Sequence, residues 1–133
     1  MSVTGPRGCK PLVALPTAPA AWARCSFRQR NACFHLETPI EEPFVETLSV
    51  AILSDGTMTG FFNLGDACAS GPGRCRRTPL GTRWVGTLGA CERIGTVELR
   101  AVLSGRPFRR RLRGILTIDG QPRPFRATEV DCD

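Results

Sequence analysis

Seven cysteines, a single histidine and seventeen arginines are the residues here whose types could do chemistry. Set Cys9 aside, and Cys25, Cys33, Cys68, Cys75, Cys91 and Cys132 make an even set, which suits a disulfide framework in a secreted protein. Six cysteines can pair in many ways, and spacing selects none of them. Thiolates also bind metals. Cys33-Phe34-His35 puts two ligand types two residues apart, and six residues separate Cys68 from Cys75. Neither is the tight C-x2-C of a zinc site, so no metal is expected. Any histidine-dependent nucleophile would have to work through His35, and no nucleophile elbow accompanies the serines or cysteines. The chain has neither a P-loop nor a dinucleotide-binding glycine fingerprint. Glu41-Glu42 and the Asp131, Asp133 pair read as solvated acids beside a loop and a terminus. No catalytic residue and no cofactor are expected.

The arginines raise a different chemistry. Arg74, Arg76 and Arg77 lie in a Gly/Pro-rich stretch, and Arg109, Arg111 and Arg113 fall on one side of an alternating segment. Guanidinium forks match phosphate and similar oxyanions, so these six are the candidate polyanion contact, nucleic acid included. Such binding is independent of sequence and weakens steeply with salt. Phe108, Phe125 and Trp84 are the aromatics near enough in sequence to stack on bases. A blander reading competes. Lysine occurs once, tyrosine is absent and asparagine occurs twice, the composition a GC-rich genome produces. The arginines would then form a solvated face or a charged edge strand that resists aggregation.

Net charge is +6, and its distribution matters more than its sum. Residues 1–36 carry Arg7, Lys10, Arg24, Arg28 and Arg30 with no acid. After them come Glu37, Glu41, Glu42, Glu46, Asp55 and Asp66 before any base, and then the arginines from Arg74 to Arg113, opposed by Glu92 and Glu98. Segment 1–36 reads as a Pro/Ala/Arg-containing arm or targeting segment. Ala21-Trp22-Ala23 has the form of a signal cleavage site, the acid-free composition suits an organellar transit segment, and Pro11, Pro16 and Pro19 suit an uncleaved arm lying on a neighbouring subunit. The arm is the preferred reading.

These residues must be positioned by strands. A chain of 133 residues fits one domain, which buries roughly two-thirds of its unfolded surface. No apolar run approaches the roughly 18 residues of a membrane span. Over 46–53, Leu48, Val50 and Ile52 alternate with Thr47 and Ser49, and Asp55-Gly56 signals a hairpin into 58–64, where Met58, Phe62 and Leu64 share a face. Residues 65–81 read as a long loop. A strand at 82–88 carries Trp84, and the chain then turns through Gly89 and Ala90. Val97, Leu99, Ala101 and Leu103 form a half-buried strand, and Phe108, Leu112, Gly114, Leu116 and Ile118 one face of its return. Asp119-Gly120 turns into a last strand with Phe125, Ala127 and Glu129. Residues 19–30 are the one candidate short helix. Arg110 conflicts with this pattern, because it falls on the apolar face and must meet water or an acid there.

The expected fold is an all-β antiparallel meander closing into a small barrel or sandwich, residues 37–133, behind an irregular arm. The fragments SDGTMTGF and GTRW resemble the strand-and-turn texture of small up-and-down ligand-binding barrels of the avidin and lipocalin kind. The resemblance covers a small part of the chain and implies no functional residue. The expected function is a non-catalytic structural or adaptor subunit of a larger assembly, inside a cell or a particle. It would act through protein–protein contacts with other subunits or copies of itself. The alternatives are a secreted, disulfide-stapled binding domain and a basic polyanion-binding module.

Overall fold

Alternation with a period of two forces a segment into an extended pleat, because only there do residues i and i+2 share a face. The computed structural model describes residues 22–25 and 31–132, which form nine strands, most of them along such alternation. They are β1 (Asn31–Ile40), β2 (Val45–Ile52), β3 (Met58–Phe62), β4 (Asp66–Ala67), β5 (Gly73–Thr78), β6 (Gly81–Cys91), β7 (Gly95–Ser104), β8 (Arg111–Ile118) and β9 (Gln121–Val130). One antiparallel sheet holds them in the order β4-β3-β2-β1-β9-β8-β7-β6-β5. The consecutive strands β4 and β5 lie at the two ends of the sheet, and its neighbouring strands are consecutive in sequence except at one seam, where β1 meets β9. There Cys33, Phe34, His35 and Leu36 pair with Val130, Glu129, Thr128 and Ala127. The expected all-β antiparallel meander is therefore what the chain forms.

The sheet curls over one core. Phe34, Leu36, Leu48, Val50, Met58, Phe62, Trp84, Leu88, Leu99, Leu112 and Leu116 are buried on its inner face. Residues 66–72 run between β3 and β6 and stitch them together. Cys68 N–H donates to the Gly60 carbonyl, Ala69 N–H to Ala90, and Thr87 N–H to the Pro72 carbonyl. These are isolated bridges, not a ladder. The sheet is consequently not a closed barrel, and of the two closures expected the sandwich-like one fits. The close approach here depends on Gly86, where a Cβ would sit 2.6 Å from both the Met58 Sδ and the Pro72 carbonyl.

Several details differ from the expectations. The stretch 65–81 contains β4 and β5, so it is not one long loop. Strand β5 was hidden because GRCRRT has no apolar alternation; it is an edge strand held by its backbone ladder to β6 and by Cys75. Strand β1 begins at Asn31, inside the segment 1–36 read as the arm. Residues 22–25 are not helical: Ala23 pairs antiparallel with Cys75. The remainder of the candidate helix, the leader-like segment up to Ala21 and Cys9 lie outside the described residues. Gly89 is not a turn. The register of β6 on β7 shifts between Thr87 and Gly89, and Gly89 takes a φ of 90° that a bulge requires. Leu64 and Phe108 leave the core faces expected for them, at 87% and 70% exposed, because both occupy turns at positive φ. Asp119-Gly120 forms the expected two-residue hairpin, both residues at positive φ, with Ile118 paired to Gln121.

Asp66 has a role that the sequence reading left unassigned. Its carboxylate, in a residue 4% exposed, accepts the Arg93 N–H at 2.8 Å and the Ile94 N–H at 2.9 Å, pinning the β6–β7 turn to β4. Asp66→Ala strands two donors at once and is expected to lower unfolding free energy by about 3 kcal/mol. Urea denaturation checks this, and a loss below about 1 kcal/mol would show that water replaces the carboxylate.

Candidate arginine face

The pleat sends every second side chain of β5 to β9 to the outer surface, and antiparallel register decides which of them line up. Arg76 lies opposite Arg83, and Arg83 opposite Val102. Val102 lies opposite Arg113, and Arg113 opposite Arg126. The result is a row of four arginines running across five strands. With strands about 4.8 Å apart, that row spans about 19 Å from β5 to β9. One pleat repeat away runs a second row, Arg74, Val85, Arg100, Ile115 and Pro124. Arg111 sits beyond the first row on the other side, between Ser104 and Thr128.

Electrostatics make this arrangement costly as it stands. Arg76/Arg83 and Arg113/Arg126 are like charges directly opposite each other, each pair destabilising by a few tenths of a kcal/mol to about 1 kcal/mol. Among the described residues the one salt bridge is Arg110–Glu129, so none of the seven outward arginines has a carboxylate at ion-pair distance. Two acids share the surface. Glu98 is exposed on β7, and Glu37 lines a groove of about 400 Å³ together with Arg111, Arg113 and Arg126. At the β5 edge, Trp22 underlies the guanidinium groups of Arg74 and Arg76, whose central carbons lie 5.3 and 4.8 Å from the ring centroid. The ring holds the two side chains in place by cation–π attraction while their N–H donors stay available.

Of the six arginines singled out from sequence, Arg74, Arg76, Arg111 and Arg113 are on this face. Arg77 alternates to the other side of β5, and Arg109 lies exposed in the turn before β8. Arg83, Arg100 and Arg126 complete the face and were missed. Their alternation is visible in the sequence, but their alignment exists only once the register is known.

Arg110 resolves the conflict noted above by turning inward to an acid. Its Nε donates to Glu129 Oε1 at 2.9 Å, its guanidinium NH2 group to Oε2 at 2.7 Å, and its backbone N–H to Oε1 at 3.1 Å. Hydrogen bonds from Arg110 hold the Glu129 carboxyl below its ordinary range against the opposing effect of burial.

The cysteines form three disulfides: Cys25–Cys75, Cys33–Cys132 and Cys68–Cys91. The sulfur ligands weighed for a metal are thereby oxidised, and no cluster of three or more potential ligands occurs among the described residues. His35 is exposed on β1 between Thr47 and Thr128. A second groove, of about 420 Å³, borders the Cys33–Cys132 disulfide and is walled by Phe61, Leu64 and Val130. The Thr47 hydroxyl in its lining is buried without a hydrogen-bond partner. Among the described residues no helix is long and apolar enough to cross a membrane. No family model, curated protein or solved structure matches this chain.

Proposed function

We propose that this chain is a non-catalytic binding domain of an oxidising compartment, a disulfide-stapled sheet that presents its outer surface to a macromolecular partner. The observation that carries the reading is the pairing of all six described cysteines. Disulfides persist where thiols are not continually reduced, so their number favours the secreted reading over the intracellular one. Two pairs join distant parts of the chain, at sequence separations of 50 and 99. Intact mass of protein from its native source, alkylated in denaturant before and after reduction, tests the proposal. Six cysteines protected until reduction are expected. Free alkylation of all of them without reductant would overturn it.

A second reading, a subunit that assembles with copies of itself, rests on the charge separation. Strands β1 to β4 contain no lysine or arginine, the outer side of β5 to β9 is rich in arginine, and sheet order gathers each group into its own half of the sheet. Opposite regions on different copies would attract head to tail. Light scattering during size-exclusion chromatography is expected to show oligomers at low salt that dissociate at high salt, and a monomer at every salt concentration would remove this reading.

A further inference from the structure

We propose that the arginine row of β5 to β9 is a binding site for a linear polyanion without bases, one that carries sulfate or phosphate groups along its length. The inference names the partner of the domain proposed above and rests on that reading only for the compartment.

Placement on the surface separates this proposal from compositional bias. A genome that favours arginine codons would scatter the residue over all nine strands. Instead β1 to β4 have none, and Arg76, Arg83, Arg113 and Arg126 align by register into one band. Two directly opposed like-charge pairs weaken the sheet, and an anion lying between them converts that repulsion into attraction. The band runs across the strands, so an extended chain laid along it meets donors from β5, β6, β8 and β9 in turn. Arginine, in place of lysine, supplies two parallel N–H groups to each tetrahedral oxyanion.

Among the described residues this face offers no uncovered stacking surface, which argues against nucleic acid. Single-strand binders combine positive charge with aromatic platforms, and stacking contributes about 1–3 kcal/mol per base. On this face the side chains between the arginines are Val85, Val102, Ile115 and Pro124. Trp22 is the aromatic at its edge, and two guanidinium groups already cover it. Of the three aromatics considered from sequence, Trp84 and Phe125 are buried on the inner side and Phe108 stands in the β7–β8 turn. An oxyanion polymer uses what the face offers and needs nothing it lacks.

The test measures affinity of the full, oxidised chain for heparin, inorganic polyphosphate and oligo(dT) by fluorescence anisotropy across a salt series. Two double variants remove the same charge. Arg83→Ala/Arg126→Ala takes one member from each opposed pair, and Arg77→Ala/Arg109→Ala removes two arginines outside the band. The expected result is binding to heparin or polyphosphate that falls at least tenfold in the first variant and less than threefold in the second. Preference between the two probes tells sulfate from phosphate. Thermal melting of the first variant should be unchanged or raised, since it relieves repulsion. Equal losses in both variants would reduce the interaction to net charge and overturn the proposal. So would the absence of binding to either probe at low salt, or tighter binding of oligo(dT). None of these outcomes alters the disulfide content, which the mass measurement reads separately.

Discussion

Replacing Cys33 and Cys132 together by alanine is expected to lower the unfolding free energy by about 4–5 kcal/mol and the melting temperature by roughly 15 °C. The argument is one of chain entropy. This disulfide closes a separation of 99 residues, and a loop of that size costs the unfolded chain about 4.7 kcal/mol of freedom. Packing adds little, because Cys132 is exposed and Cys33 half-buried outside the core. The comparison is Cys68–Cys91, with a separation of 23 and both residues buried. Its entropic share is smaller, about 3.4 kcal/mol, and truncation there also leaves a defect beside Gly89. Position adds a second consequence. Cys33–Cys132 lies at the β1–β9 seam, the single junction between the β1–β4 and β5–β9 runs that carries a ladder. Hydrogen exchange should therefore show amides of 33–36 and 127–130 losing protection first. A loss below about 1 kcal/mol by urea denaturation would mean that the unfolded chain already keeps the seam together.

How far such features could be read from sequence depends on how local their causes are. Leu48 and Val50, or Leu112 and Leu116, announce their strand by alternation alone, and each is buried as that alternation requires. Asp119-Gly120 announces its turn because two successive positive φ values demand residues of that kind. Strand β5 could not be recognised this way, since it is specified by a partner strand and a disulfide, not by its own pattern. The same holds for the arginine face. Arg111 and Arg113 were visible as an alternating stripe along one strand, whereas the band that includes Arg76, Arg83 and Arg126 runs perpendicular to the chain. Asp66 was silent for a related reason: its two donors are 27 and 28 residues away in a turn with no sequence signal for an acceptor. The cysteines were visible as a set, and their pairing depended on which strands the topology brings together.

The second large effect concerns Glu129, whose side chain is 3% exposed against 13% for Arg110. Glu129→Ala leaves the guanidinium without its counter-charge on the inner side of the sheet, and a loss of about 3 kcal/mol is expected. The pH dependence fixes the cause. The folded carboxyl is held below its ordinary value, chiefly by hydrogen bonds from Arg110, so the folded state binds this proton less readily than the unfolded chain. The stabilisation is thus complete above the unfolded pKa of about 4.3 and is lost as pH falls through the folded value below it. Glu129→Gln keeps the shape and one acceptor, and should lose less stability while flattening the decline below about pH 4.5. The double variant Arg110→Met/Glu129→Leu removes both charges together and should recover most of the stability, because apolar packing replaces a pair that had to be desolvated. Chemical denaturation of the three variants from pH 2.5 to 7 measures all of this. If the double variant is no more stable than Glu129→Ala, the pair is needed for its three directed hydrogen bonds between the start of β8 and β9, and charge compensation is the lesser part of its role.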